Sequence, residues 1–162
     1  MQSCKARTKD QSTDVDRHGS RRDGALEVTR EATDTYRELA KSRPDAFLPD
    51  LAGSLNNLGN RLADGGDRAG ALEATREAVD IRRALVASNP GNAQSQRDLS
   101  VALTDLALAE EEVARLNAAL QHARESLVID ERLVELDPTD ATWQGAVAAS
   151  RGLVERLRTA RE

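Results

Sequence analysis

The sequence predicts an all-α protein, an α-α superhelix of about five helices. Aromatic residues make up only 2% of the chain and hydrophobic residues 39%, so aliphatic side chains must fill the core. Alanine, leucine, glutamate and arginine are abundant strong helix formers, whereas the β-branched and aromatic residues that favour sheets are scarce. The third observation is an internal repeat with a spacing of 46 to 48 residues.

The repeat is visible in segments that each reach a proline. Pro44, Pro90 and Pro138 lie 46 and 48 residues apart. Each proline lies in one of three aligned segments: GALEVTREATDTYRELAKSRPDA from Gly24, GALEATREAVDIRRALVASNPGNA from Gly70 and AALQHARESLVIDERLVELDPTDA from Ala118. The intervening stretches, PDLAGSLNNLGNRLADGGDR and RDLSVALTDLALAEEEVARL, align with an offset of 48. Each unit is therefore predicted to be a pair of helices.

The first full unit shows both helices and the turn between them. Leu51, Leu55, Leu58 and Leu62 recur at steps of four, three and four, which places them on one face of a helix. The run Asp64-Gly65-Gly66-Asp67 breaks that pattern as a glycine stop would. A second helical pattern follows and ends at SNPG, because proline cannot continue a helix.

The second unit lacks a glycine turn. Its AEEEVARLN segment is compatible with a continuous helix, so the loop is hard to place, and we expect it near Arg115–Asn117. The run LVIDERLVEL has the composition of a strand, but its copy in the first unit is helical, so we expect a helix.

The chain is predicted to contain a tail and one repeat domain. The N-terminal segment carries almost no apolar residues and is expected to be polar and disordered. The helix from Gly24 would then lack a partner and be partly exposed, whereas the last helix has the polar outer face of a cap. The expected divisions are a tail at 1–23 and a repeat domain at 24–162, made of the second helix of a partial repeat at 24–43, full repeats at 44–90 and 91–138, and a capping helix at 139–162.

Leu55, Leu58-Gly59, Leu62, Ala71 and Ala78 together resemble the tetratricopeptide repeat. The second unit keeps most of the pattern, with Ala107 in place of the glycine. The spacing exceeds the family's usual 34 or so residues and is closer to the long-helix variant of kinesin light chains and many bacterial repeat proteins. The resemblance covers about residues 24–159. It implies a helical solenoid in which small residues allow helices to approach closely.

The glycine-rich stretch GNRLADGGDRAGALEA is predicted to be a turn, not a phosphate site. A phosphate-binding loop follows a strand and continues its second glycine with Lys and Ser or Thr, whereas Ala71-Leu72 follow Gly70. His122 has Ser126, not a ligand, one turn later, so we expect no metal. Cys4 and His18 lie in the polar tail. The run Glu110-Glu111-Glu112 is expected to be a solvated helix face, with a cation or basic-peptide site as the alternative. No catalytic or cofactor-binding residues are predicted.

The resemblance also implies a binding surface, because the first helix of each tetratricopeptide unit lines a concave groove. Three asparagines within five residues are unusual in a helix, and asparagine amides can both donate to and accept from a peptide backbone. Solvated surface is the alternative explanation. Matching positions give a candidate partner-binding set of Gly53, Asn56, Asn60, Asp64, Val101, Thr104 and Leu108, with Glu112 beyond it.

The function expected is a non-enzymatic scaffold that binds a peptide or partner protein. Alternatives are a dimerisation module that uses the exposed N-terminal helix, or a regulatory segment of a larger bacterial signalling protein. The net charge of −5 with interleaved signs argues against nucleic acid. The polar N-terminus and the lack of any long apolar window predict a cytoplasmic protein without a membrane span.

Overall fold

The computed structural model describes residues 12–162, with side chains from residue 24 onward. All side chains of the predicted tail at 1–23, among them Cys4 and the imidazole of His18, therefore lie outside the described part of the chain. Six helices run along the described chain: α1 Ser12–Ser42, α2 Pro44–Asp64, α3 Arg68–Ser88, α4 Ala93–Glu112, α5 Leu116–Leu136 and α6 Ala141–Ala160. The all-α prediction is confirmed, with one helix more than the expected number.

Each helix packs mainly against its neighbours in sequence, which is the contact pattern of a helical repeat solenoid. The core is accordingly divided into three apolar clusters along the stack. The leucine face predicted for α2 belongs to the first of these clusters, and its residues Leu51, Leu55 and Leu62 are buried. We call α2–α3 the first hairpin and α4–α5 the second hairpin.

Both hairpins turn through the same backbone motif. In the first, Gly66 has a φ of 84° and donates its N–H to Ala63, while Asp67 donates to Leu62. In the second, Ala114 has a φ of 58°. These paired bonds define a Schellman stop, which closes a helix with one left-handed residue.

The second hairpin closes in the same way. Ala114 donates its N–H to Glu111, and Arg115 donates to Glu110. The loop is Val113–Arg115, so the expected location at Arg115–Asn117 is two residues late. The turn could not be placed from the sequence, because alanine occupies the left-handed position where glycine is the usual residue.

Side-chain caps start three of the helices. Asp67 accepts the N–H of Gly70 at 2.9 Å, Asn92 accepts that of Ser95 at 3.0 Å, and Asp140 accepts that of Thr142 at 2.7 Å. Each cap satisfies a backbone donor that the first turn leaves without a partner. Arg115, which precedes α5, forms no such bond. Arg43, which precedes α2, forms none either, so each hairpin has one helix with a side-chain cap and one without.

Gly59 is the closest approach within the first hairpin. A Cβ atom at Gly59 would lie 2.9 Å from the Thr75 methyl and 3.3 Å from the carbonyl oxygen of Ala71 on α3. The predicted role of Gly59 as a contact between crossing helices is therefore confirmed. In the second hairpin the equivalent pair is Ala107 and Ala123, both fully buried.

The two ends of the stack differ as expected. On α1, Leu26, Tyr36 and Leu39 are only half-buried. On α6 the outer residues are charged or polar and exposed, and they include Arg151, Glu155 and Arg158. This polar outer face is what a terminal helix of a solenoid requires.

Candidate functional site

We give the name groove face to a set of positions on the first helices of the units, α2, α4 and α6. It is defined by Gly53, Asn60 and Asp64 on α2, Val101 and Leu108 on α4, and Ala149 on α6. The two α4 side chains are 41% and 40% exposed, and they lie seven positions apart on one face of the helix. Nothing lies within 4 Å of a Cβ built on Gly53, so that part of the surface is open.

The other candidate residues occupy different surroundings. Asn60 and Asp64 are exposed and line a cavity of about 440 Å³ between α2 and α1. Thr104 is half-buried and its hydroxyl donates to the carbonyl of Ser100. Glu112 forms an ion pair with Arg68 at 3.0 Å. The candidate set is thus spread along the stack and does not converge on one point.

Asn56 is only 9% exposed and reaches across to α4. Its Nδ2 donates to Oδ2 of Asp105 at 3.0 Å, whereas its Oδ1 is buried without a hydrogen-bond partner. Burial raises the pKa of Asp105, and the attraction of Arg82 opposes that rise. Asn56 therefore links α2 to α4 through the carboxylate of Asp105. The attraction of Arg82 offsets only part of the cost of burying that carboxylate.

A cavity of about 320 Å³ opens between α4 and α6, and Asp105 stands at its side. Its floor is the carboxylate of Asp130 from α5, which is 1% exposed. Ser100 donates a short hydrogen bond to one Asp130 oxygen, and Ser150 donates to the other at 2.5 Å. Since a buried charge is costly unless it is bonded, these hydroxyls stabilise the carboxylate. We call this site the α4–α6 cavity.

Further hydroxyls extend the network behind the cavity. The oxygen of Ser126 lies 3.1 Å from that of Ser100 and 2.9 Å from that of Thr104, and its hydroxyl donates to the Ser100 carbonyl. Ser126 itself is completely buried. The helices α4, α5 and α6 are therefore joined by hydrogen bonds. At the matching place in the first hairpin, Ala52 and Ala78 replace the two serines, and Arg82 pairs with Asp98 at 2.8 Å.

A second polar cluster links the two hairpins. Glu110 is 1% exposed, and it accepts a bond from Arg76 at 3.0 Å and contacts Nδ1 of His122 at 2.8 Å. The expectation of a solvated face at Glu110 is wrong, because this residue occupies the core position that Leu62 fills one unit earlier. His122 of α5 thus packs against α4, where it is a hydrogen-bond partner of Glu110.

Sequence reasoning missed the hydroxyl network, although the repeat carried a signal for it. Ser100 and Ser126 align with Ala52 and Ala78 at an offset of 48, and both alanines are completely buried. Serines at two core alanine positions indicate a buried polar group nearby. Asp130 is the corresponding residue, in register with the apolar face of α5.

Within residues 24–162, no group of three or more His, Cys, Asp or Glu side chains is arranged to hold a metal ion. None of the described helices is long and apolar enough to cross a membrane.

These features define a helical repeat protein with an open face along its first helices. Residues 51–90 match a family model described as tetratricopeptide repeat. The first hairpin, which contains nearly all of that segment, is thus a tetratricopeptide repeat, and the predicted family resemblance is confirmed there. No curated protein matched the chain.

Proposed function

We propose that this protein is an interaction scaffold whose groove face binds an extended segment of a partner protein. The observation that carries the proposal is the exposed pair Val101 and Leu108 on α4. Two large apolar side chains on one open helix face favour a partner, because covering them removes apolar area from water.

The surroundings of that pair support the same function. Gly145 lines the α4–α6 cavity beside Val101, and nothing lies within 4 Å of a Cβ built on this glycine. A backbone segment can therefore approach α6 closely. On α2, the amide of Asn60 offers both a hydrogen-bond donor and an acceptor. The match to tetratricopeptide repeats agrees with a binding role, since the proposed surface lies on the first helices.

A random peptide library displayed on phage tests the proposal with the complete chain. Peptides selected on the protein are expected to lose about tenfold in affinity on Leu108→Asp, since burying a new charge costs more than about 1 kcal/mol at a central contact. Affinity is measured by isothermal titration, and circular dichroism checks that the variant is folded.

The matched control is Val128→Asp on α5. Val128 is 48% exposed, as much as Leu108, but it lines a different cavity between the hairpins. Its substitution should leave peptide affinity unchanged. Selected peptides that respond equally to both variants, or no selected peptides at all, would contradict a groove on the first helices.

A second candidate function is self-association through α1. The supporting observation is Val28, which is 65% exposed beside a cavity of about 440 Å³ shared by α1 and α2. A second copy of the chain would cover that side chain. Light scattering should then give the mass of a dimer, and Val28→Asp should give the mass of a monomer. A concentration-independent monomer of the unmodified chain rules this candidate out.

A further inference from the structure

We propose that the α4–α6 cavity binds the cationic side chain of a lysine or arginine in the partner segment. The inference deepens the proposed function and rests on it, because it names the chemistry of one residue in the segment that the groove face would hold.

The orientation of the hydroxyl groups carries the argument. Ser100 and Ser150 each direct their single proton to Asp130. Thr104 directs its proton to the Ser100 carbonyl. A hydroxyl whose proton is committed can only accept from a newcomer. All three residues line the cavity, so this wall favours a ligand that donates hydrogen bonds.

The charges favour a cation over a neutral donor. The lining includes the carboxylates of Asp105 and Asp130 but only one cation, Arg97. Among the ion pairs of residues 24–162, none involves either carboxylate; Arg82, which pairs with Asp98, attracts Asp105 without forming an ion pair with it. Both carboxylates are largely removed from water, where attraction to an incoming positive charge is stronger than at an exposed surface.

The shape of the cavity limits the ligand to one side chain. Its volume of about 320 Å³ is at the lower end for small-ligand sites, which begin near 300 Å³. Gly145, Ala146 and Ala149 form the α6 wall and leave room for an alkyl stem. Val101 on the opposite side contacts such a stem, as apolar surfaces commonly do along lysine and arginine.

Substitution of Arg97 distinguishes a cationic ligand from an anionic one, because its effect on affinity should have opposite directions for the two. Its guanidinium repels an incoming cation, so Arg97→Gln should strengthen binding of a cationic ligand and weaken binding of an anionic one. The matched change on the other side of the cavity is Asp105→Asn, which removes one negative charge without changing the size of the side chain.

The first test adds n-butylammonium as a probe of the cavity itself. Its binding is measured from the amide NMR spectra of the full chain. We expect saturable chemical-shift changes at Thr104, Ala149 and Ser150. The affinity for butylammonium should be lower by about tenfold or more in Asp105→Asn. Butyrate and n-butanol are the matched probes of opposite and zero charge. Shifts caused by butyrate and not by butylammonium, or no shifts with any probe, overturn the proposal.

The second test repeats the phage selection and compares the enriched peptides. Peptides selected on the unmodified protein should share one basic residue, and acetylating that lysine should reduce affinity by about tenfold or more. Selection on Asp105→Asn should lose the basic preference. Peptides that bind the groove face without a basic residue overturn the cation site but keep the proposed function. Butylammonium binding without any selected peptide keeps the cation site and overturns the proposed function.

Discussion

The two hairpins share a backbone but stabilise it with different chemistry. In the first, Leu62 and Ala74 are apolar core residues; at an offset of 48, the second has Glu110 and His122. A third aligned pair exchanges one charge for the opposite one: Arg82 of α3, which pairs with Asp98, is replaced by Asp130 of α5, which lines the α4–α6 cavity. The same helix register thus accepts either packed hydrocarbon or a bonded polar cluster.

This difference teaches that the repeat specifies the geometry more strictly than the composition of the core. Buried ionic groups seldom increase stability over well-packed apolar residues of similar volume. The second hairpin keeps its polar groups where α4, α5 and α6 meet, beside the surface proposed to bind a partner.

The largest expected effect breaks the polar cluster of the second hairpin. Glu110→Ala leaves Arg76 and His122 without their shared acceptor and should lower the free energy of unfolding by about 2 kcal/mol. This is less than the roughly 3 to 5 kcal/mol typical of a fully buried pair, because Arg76 is partly exposed. Urea denaturation measures the change.

The matched double variant sharpens the comparison. Glu110→Leu with His122→Ala gives the second hairpin the residues of the first, and its stability should equal or exceed that of the unmodified protein. A double variant less stable than Glu110→Ala alone would mean that the two hairpins pack differently at this point.

The next prediction concerns the close contact in the first hairpin. Gly59→Ala should reduce stability by about 1 kcal/mol, since a clash costing some 1 to 3 kcal/mol outweighs the gain in helix propensity. Adding Thr75→Ala reproduces the Ala107–Ala123 pair of the second hairpin and should restore stability. Thermal unfolding of the single and double variants measures both effects.

Gly53→Ala is the matched control for Gly59→Ala. Gly53 lies on the same helix, but open space surrounds its Cα. The substitution should stabilise the protein by about 1 kcal/mol through helix propensity alone. Equal effects at the two glycines would show that Gly59 is not a close contact.

The hairpin turns provide a third pair of variants. Ala114→Gly should stabilise the second hairpin by about 1 kcal/mol, because alanine is strained at a φ of 58°. Gly66→Ala should destabilise the first by a similar amount. Urea midpoints that move in the same direction for both changes would contradict a shared turn.

The smallest effect concerns the carboxylate between Asn56 and α4. Burial raises the pKa of Asp105 above its ordinary 3.8, against the opposing pull of Arg82. Its contribution to stability is therefore fully present below the unfolded-state pKa and is lost as pH rises through the folded-state value.

Asp105→Asn should accordingly be more stable than the unmodified protein at neutral pH. The asparagine is neutral, and its amide can donate to the unpartnered Oδ1 of Asn56. The difference should shrink as the pH falls through the raised folded-state pKa towards 3.8 and should stay small at lower pH. Urea unfolding across this pH range checks the trend, and a less stable variant at neutral pH would show that the attraction of Arg82 outweighs the cost of burial.

Much of the fold was predictable, because periodic leucines and the repeat spacing report on single helices and their order. The loop of the second hairpin was not, since Ala114 takes a conformation that its side chain does not favour. The groove residues were predictable only as helix positions. Whether Asn56 faces a ligand or Asp105 depends on the rotation of α2 against α4, which no local pattern encodes.

The sequence by itself determined that this protein is a stack of helical hairpins, because helix propensity and a four-three spacing of leucines act within a few residues along the chain. Only the tertiary structure decided that Ser100, Asp130 and Ser150 meet around one cavity. They lie on three helices and are 20 and 30 residues apart. Their hydrogen bonds become favourable only when packing removes them from water together.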